Sequence, residues 1–207
     1  HYANTRGAYK AVVDGDADIV FCAGPSDEQL AYAAEKGVEL EMTEIGREAF
    51  VFFVNSENPV ESLTAEQVRN IFSGEITNWS EVGGENLPVD AVSRNKGSGS
   101  QSTMDKFMAG CEQKHSMWGA FGRSIAYSFR YYVENMTADS KVKMLALNGA
   151  YPDREHIADG SYPLVSSFYA VYRKDTENQN VSRLVEWILS DEGQQLVEKA
   201  GYTALNK

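Results

Sequence analysis

The chain has 207 residues, 43% of them hydrophobic and 24% charged, a balance that gives a packed globular protein and excludes a disordered one. Its formal net charge of −11 argues against a nucleic-acid partner, because phosphate backbones demand basic surface. No apolar run approaches the roughly 20 residues needed to span a bilayer.

In chain order, Asn4–Gly7 reads as a polar turn and Ala8–Val13 as a helix stopped at Gly15. Asp18–Cys22 is a short apolar strand ended by Gly24-Pro25. Ser26–Gln29 has the S-x-x-Q spacing of a capping box, so a helix runs from it to Lys36. Ala49–Val54 (AFVFFV) is a second strand, aromatic and β-branched. Thr64–Gln67 is a second capping box; its helix carries Val68, Ile71 and Phe72 on one face and stops at Gly74. Trp79 and Val82 anchor the polar stretch Glu75–Asn86.

Val89–Ser93 then reads as a strand, Arg94–Ser100 as a turn, and the residues from Ser100 as a helix with Met104, Phe107 and Met108 at helical spacing. Ala126–Tyr132 is aromatic and β-prone, Asp139–Lys143 can open a helix, and Val142–Leu147 closes as a strand. Asn148–Gly160 is a loop, Phe168–Arg173 a third apolar strand, and Ser182–Leu189 and Asp191–Lys199 two helices. Strands alternating with helices give an α/β chain with mainly parallel pairing.

The stretch with most chemistry is Arg94–Ser100, RNKGSGS. Its glycines let the backbone turn tightly and lie close to a ligand. The Ser98 and Ser100 hydroxyls can cap the helix or donate outward. A helix start adds a positive dipole end, and Arg94 a fork of donors. Together these make a pocket for a small oxyanion, although a Gly/Ser turn before a helix is most often a turn and a cap. Other chemistry is absent. His1, His115 and His156 form no metal-ligating cluster, and Cys22 and Cys111 have no CxxC context, so neither a metal site nor a disulfide framework is indicated. There is no phosphate-binding P-loop, dinucleotide fingerprint or nucleophile elbow. The opening at His1, without a basic-then-apolar leader, reads as a processed piece.

Four segments in order resemble the phosphate-binding subunit of bacterial phosphate ABC transporters. They are Ala11–Ile19 (AVVDGDADI), Ile71–Gly84 (IFSGEITNWSEVGG), Arg94–Ser100, and Tyr162–Leu205. The resemblance covers nearly the whole chain and implies a two-lobed α/β fold of the type II periplasmic-binding-protein kind, with the ligand between the lobes. Lobe one would be 1–52 plus 163–207, and lobe two 53–162. It implies Arg94, Ser98, Gly99 and Ser100 as anion ligands, with Thr5 from a further ligand loop. By this resemblance the family's opening strand and first ligand loop would lie upstream of His1. Where the family carries Ser-Asp, this chain has Cys22-Ala23, and Lys96 stands where an acidic residue is usual. Loss of that carboxylate would relax selection for protonated phosphate over sulfate-like anions. The implied protein is a monomeric, extracytoplasmic solute-binding protein, periplasmic or a surface lipoprotein. It would have no cofactor and no enzymatic activity, and would deliver phosphate or a related oxyanion to a membrane ABC permease. The alternative is a sensor or surface module on the same fold with altered or lost anion binding.

Overall fold

The computed structural model describes residues 4–114, 123–136 and 141–205. His1, His115 and Asp139 lie outside them. The elements follow as α1 (Thr5–Asp14), β1 (Ile19–Ala23), α2 (Asp27–Glu35), β2 (Leu40–Asn55), β3 (Ser62–Leu63), α3 (Ala65–Ser73), β4 (Asp90–Ala91), α4 (Gly99–Met108), β5 (Ser124–Phe129), α5 (Arg130–Met136), β6 (Val142–Met144), β7 (Ala146–Leu147), α6 (Arg154–Ala158), β8 (Val165–Arg173), α7 (Gln179–Ile188) and α8 (Asp191–Lys199). A 3₁₀ turn at Trp79–Val82 lies between α3 and β4. The alternation gives a mixed α/β fold.

Contacts divide the chain into two units. Unit 1 is residues 1–48, 97–102 and 166–207; unit 2 is 49–96 and 103–165. The sequence reading breaks the chain at 52/53 and 162/163 and keeps all of Arg94–Ser100 in one lobe. In the contact division Arg94 belongs to unit 2, and Ser98, Gly99 and Ser100 belong to unit 1 with Thr5.

In unit 1 the strand order is β1–β8–β2, with β1 and β8 antiparallel and Phe21 opposite Ala170. One small core joins Ile45, Ala170, Val185 and Ile188; another joins Tyr9, Cys22 and Val171. Helices α7 and α8 meet at a tight corner, where a Cβ built on Gly193 would lie 2.1 Å from the Trp187 carbonyl oxygen. No side chain fits there, which is why glycine stands in the first turn of a helix.

In unit 2 the second half of β2 pairs antiparallel with β5 and with β6, β5 pairs parallel with β4, and β3 pairs parallel with β7. Ala49, Phe50, Val51 and Phe52 are all at most 1% exposed, so this half of the strand is buried on both faces. The Phe52 ring lies 5.5 Å from Phe50, 5.4 Å from Phe107 and 6.1 Å from Phe72, and such clusters dominate core energetics. The capping boxes at Ser26 and Thr64 are both present.

Five expectations need correction. Parallel pairing does not predominate, because the long strand β2 takes β5 and β6 in the opposite sense and β1 does the same with β8. Asn4 is a helix cap, its side chain accepting the Gly7 N–H, so Thr5–Gly7 open α1 and are not a separate turn. β5 stops at Phe129, and Arg130–Tyr132 begin α5, where Arg130 and Glu134 form an i,i+4 ion pair. Lys141–Lys143 contains no helix, and the expected strand over Val142–Leu147 is the two short strands β6 and β7. The loop Asn148–Gly160 contains α6, capped by Asp153.

Candidate functional site

The turn begins at the end of β4. Arg94 donates its backbone N–H to the Tyr127 hydroxyl at 3.2 Å, which ties the start of the turn to the buried face of β5. Burial raises the Tyr127 pKa above the ordinary phenol value, so the hydroxyl stays neutral. The Arg94 guanidinium sits over the Tyr132 ring at 5.3 Å from its centroid, a cation–π contact that orients an exposed side chain. Asn95 and Lys96 beside it are also exposed.

The second half of the turn is built around Gly97, whose φ of +84° is a left-handed conformation that a Cβ would strain. Ser98 then caps α4: its Oγ accepts the Gln101 N–H at 3.2 Å, and its carbonyl accepts the Ser102 N–H at 3.1 Å. The Ser98 and Ser100 hydroxyls lie 3.4 Å apart, with Gly99 and Ser100 buried. Two adjacent hydroxyls and the positive end of a ten-residue helix form a surface that favours an anion.

Thr5 is the first residue of α1, half-buried, with Arg6 next to it. Arg6 forms an ion pair with Glu28, and its side chain lies along Gly97. Thr5, Ser98, Gly99 and Ser100 therefore share unit 1, while Arg94 stands in unit 2. Sequence reading missed Arg6, Tyr127 and Tyr132. The adjacency of Arg6 to Thr5 was its one visible signal; the two tyrosines fall in the stretch read only as aromatic and β-prone, which gave none.

At the end of β1, Cys22 is buried and its thiol is pushed up to about 12 by burial, so it carries no charge near neutrality. The Ala23 carbonyl accepts the Tyr9 hydroxyl at 3.2 Å. These two positions offer no carboxylate to an anion's proton. Among the described residues no group of three or more His, Cys, Asp or Glu is placed to hold a metal ion, and no helix is long and apolar enough to cross a membrane.

The mixed α/β architecture is that of the type II periplasmic-binding fold. The chain belongs to the PBP superfamily, whose domain model matches residues 2–192. It is similar to the phosphate-binding protein PstS of Staphylococcus epidermidis, 27% identical over 99% of this chain and 69% of that relative. It is also similar to the phosphate-binding protein PstS of Borreliella burgdorferi, 24% identical over 76% of this chain; the alignment spans 63% of that relative's length. Among solved structures, an ABC-type phosphate transport receptor from Vibrio cholerae has the same fold at a TM-score of 0.70. It is 21% identical, over 95% of this chain and 84% of that one. A Clostridium perfringens chain described as a phosphate ABC transporter substrate-binding protein, with bound phosphate, reaches a TM-score of 0.80 at 24% identity. That match covers 98% of this chain and 85% of the other.

Proposed function

We propose that the chain captures phosphate or a closely related tetrahedral oxyanion outside the cytoplasm and delivers it to the permease of an ABC transporter. The observation that carries this reading is the capped turn, with the Ser98 and Ser100 hydroxyls 3.4 Å apart at the start of α4. Charge-assisted hydrogen bonds from hydroxyls, backbone N–H groups and a guanidinium suit a compact dianion. The relatives named for phosphate binding support the choice of anion. Thr5, Arg94, Ser98, Gly99 and Ser100 are the proposed contacts, and units 1 and 2 the proposed lobes. Binding and release, without turnover, is the whole of the activity in this reading.

Calorimetric titration with inorganic phosphate and with sulfate tests it. Saturable binding is expected, weakened at least about tenfold by Arg94→Ala, as for loss of a charge-assisted contact. The absence of a binding isotherm for either anion would overturn the reading. Because Cys22 and Ala23 offer no carboxylate, sulfate should bind within about tenfold of phosphate.

A further inference from the structure

We infer that Arg6 is an anion-binding residue of unit 1, shared between Glu28 and an oxyanion seated at the Ser98–Ser100 turn. The inference rests on the anion reading above and adds a residue to it. Its basis is the contact between Arg6 and Gly97. A Cβ built on Gly97 would lie 3.2 Å from Arg6 Cδ, 3.6 Å from Arg6 Cβ and 3.9 Å from Arg6 Nη1. The arginine side chain therefore lies along the bare glycine, one residue before the hydroxyl that caps α4. Gly97 thus serves two ends, the left-handed turn and the seat for Arg6.

The charge balance of the chain gives this placement its meaning. At a net charge of −11 an anion enters against the field of the whole protein, so local cations decide whether it stays. The guanidinium of Arg6 is held in an ion pair with Glu28, from the first turn of α2. Both side chains are more than half exposed, at 57% and 68%. An exposed pair of this kind is weak and its partners exchange readily. A tetrahedral dianion offers the guanidinium two oxygens and more charge than a carboxylate, so it competes with Glu28 for the same fork. Thr5, next in the chain and in the first turn of α1, brings a hydroxyl to the same unit.

The test is calorimetric titration with inorganic phosphate and sulfate at fixed pH and ionic strength, using the wild-type chain, Arg6→Gln, Glu28→Gln and the double variant. Arg6→Gln should weaken binding about tenfold, and Glu28→Gln should tighten it about threefold by freeing the arginine. The double variant has the wild-type net charge, so it separates contact from field. If Arg6 touches the anion, the double variant binds as weakly as Arg6→Gln. If Arg6 acts only through the overall field, the double variant returns to wild-type affinity and the inference falls. Wild-type affinity in Arg6→Gln also overturns it while leaving the anion reading standing. No heat from the wild-type chain with either anion sinks the anion reading, and Arg6 with it.

Discussion

The Tyr127 hydroxyl accepts the backbone N–H of Arg94 at 3.2 Å, so the core of unit 2 reaches directly to the arginine that starts the proposed anion-binding turn. Tyr127 itself is fully buried, with its ring 5.4 Å from Phe72 and 5.5 Å from Phe50. Tyr127→Phe keeps that packing and removes the hydroxyl that accepts the Arg94 N–H. Stability should fall by about 1 kcal/mol, the net value of one hydrogen bond. Anion affinity should fall several-fold more than such a small change in stability explains, because Arg94 loses its backbone anchor. Calorimetry beside urea unfolding measures both, and an unchanged affinity would show that the anchor does not position Arg94.

Ser98 has two roles that substitution can separate. Its Oγ accepts the Gln101 N–H at the start of α4 and lies 3.4 Å from the Ser100 hydroxyl. Ser98→Ala removes the cap and should cost about 1 kcal/mol of stability. Ser98→Asp restores a cap and places a negative charge at a favourable helix end, so stability should stay near wild type. The same charge would repel an incoming anion, and binding should be lost. Retained phosphate binding in a stable Ser98→Asp chain would remove the turn from the site.

Local signals were legible where one residue type does one job. The capping boxes at Ser26 and Thr64 and the stop at Gly74 follow from spacing alone. Half of β2 was not legible: Glu41, Thr43, Glu44, Arg47 and Glu48 read as polar, yet they extend the strand because β8 lies beside it. Ser167 Oγ donates to Glu44 at 2.6 Å, a contact 123 residues away in sequence. Strand direction failed for the same reason, since pairing sense depends on distant partners. In the candidate site, Ser98, Gly99 and Ser100 were legible as a turn and cap. Arg6 was hidden because its relation to Gly97 exists only once α1 and the turn are folded together.

The buried acids set an alkaline limit on stability. Burial pushes the Cys22 thiol from 9.0 up to about 12 and raises the Tyr9, Tyr127 and Tyr162 phenols above 10.0. In the unfolded chain these groups ionise at their ordinary values, while the folded chain holds their protons. Stability is therefore full below about pH 9 and falls as pH rises toward 12. Each group contributes a slope of up to ~1.4 kcal/mol per pH unit within its own window. Cys22→Ala lowers stability by a constant amount and should delay the decline until the tyrosines begin to ionise, near pH 10. Urea unfolding at pH 8, 9 and 10 distinguishes the two chains, and parallel declines would show that the thiol contributes nothing.

Gln194 joins three parts of unit 1 that are far apart in the chain. Its Nε2 donates to the carbonyls of Ile45 and Ile188, both at 3.0 Å, and its Oε1 accepts the Leu205 N–H at 2.7 Å. The side chain is only 8% exposed, so water is a poor substitute for it. Gln194→Ala leaves two carbonyls and one N–H without this partner, and should cost about 2–4 kcal/mol given about 1–3 kcal/mol for each buried unsatisfied group and partial relaxation. Gln194→Glu keeps an acceptor for Leu205 but turns a carboxylate toward two carbonyl oxygens. It should therefore be more damaging at neutral pH than in mild acid, where protonation restores a donor. Leu196, on the same helix and 52% exposed, serves as the control, with Leu196→Ala within about 0.5 kcal/mol of wild type. Urea unfolding with an unchanged m-value measures all three, and equal losses for Gln194→Ala and Leu196→Ala would dismiss Gln194 as the tie between α8, β2 and the C-terminal segment.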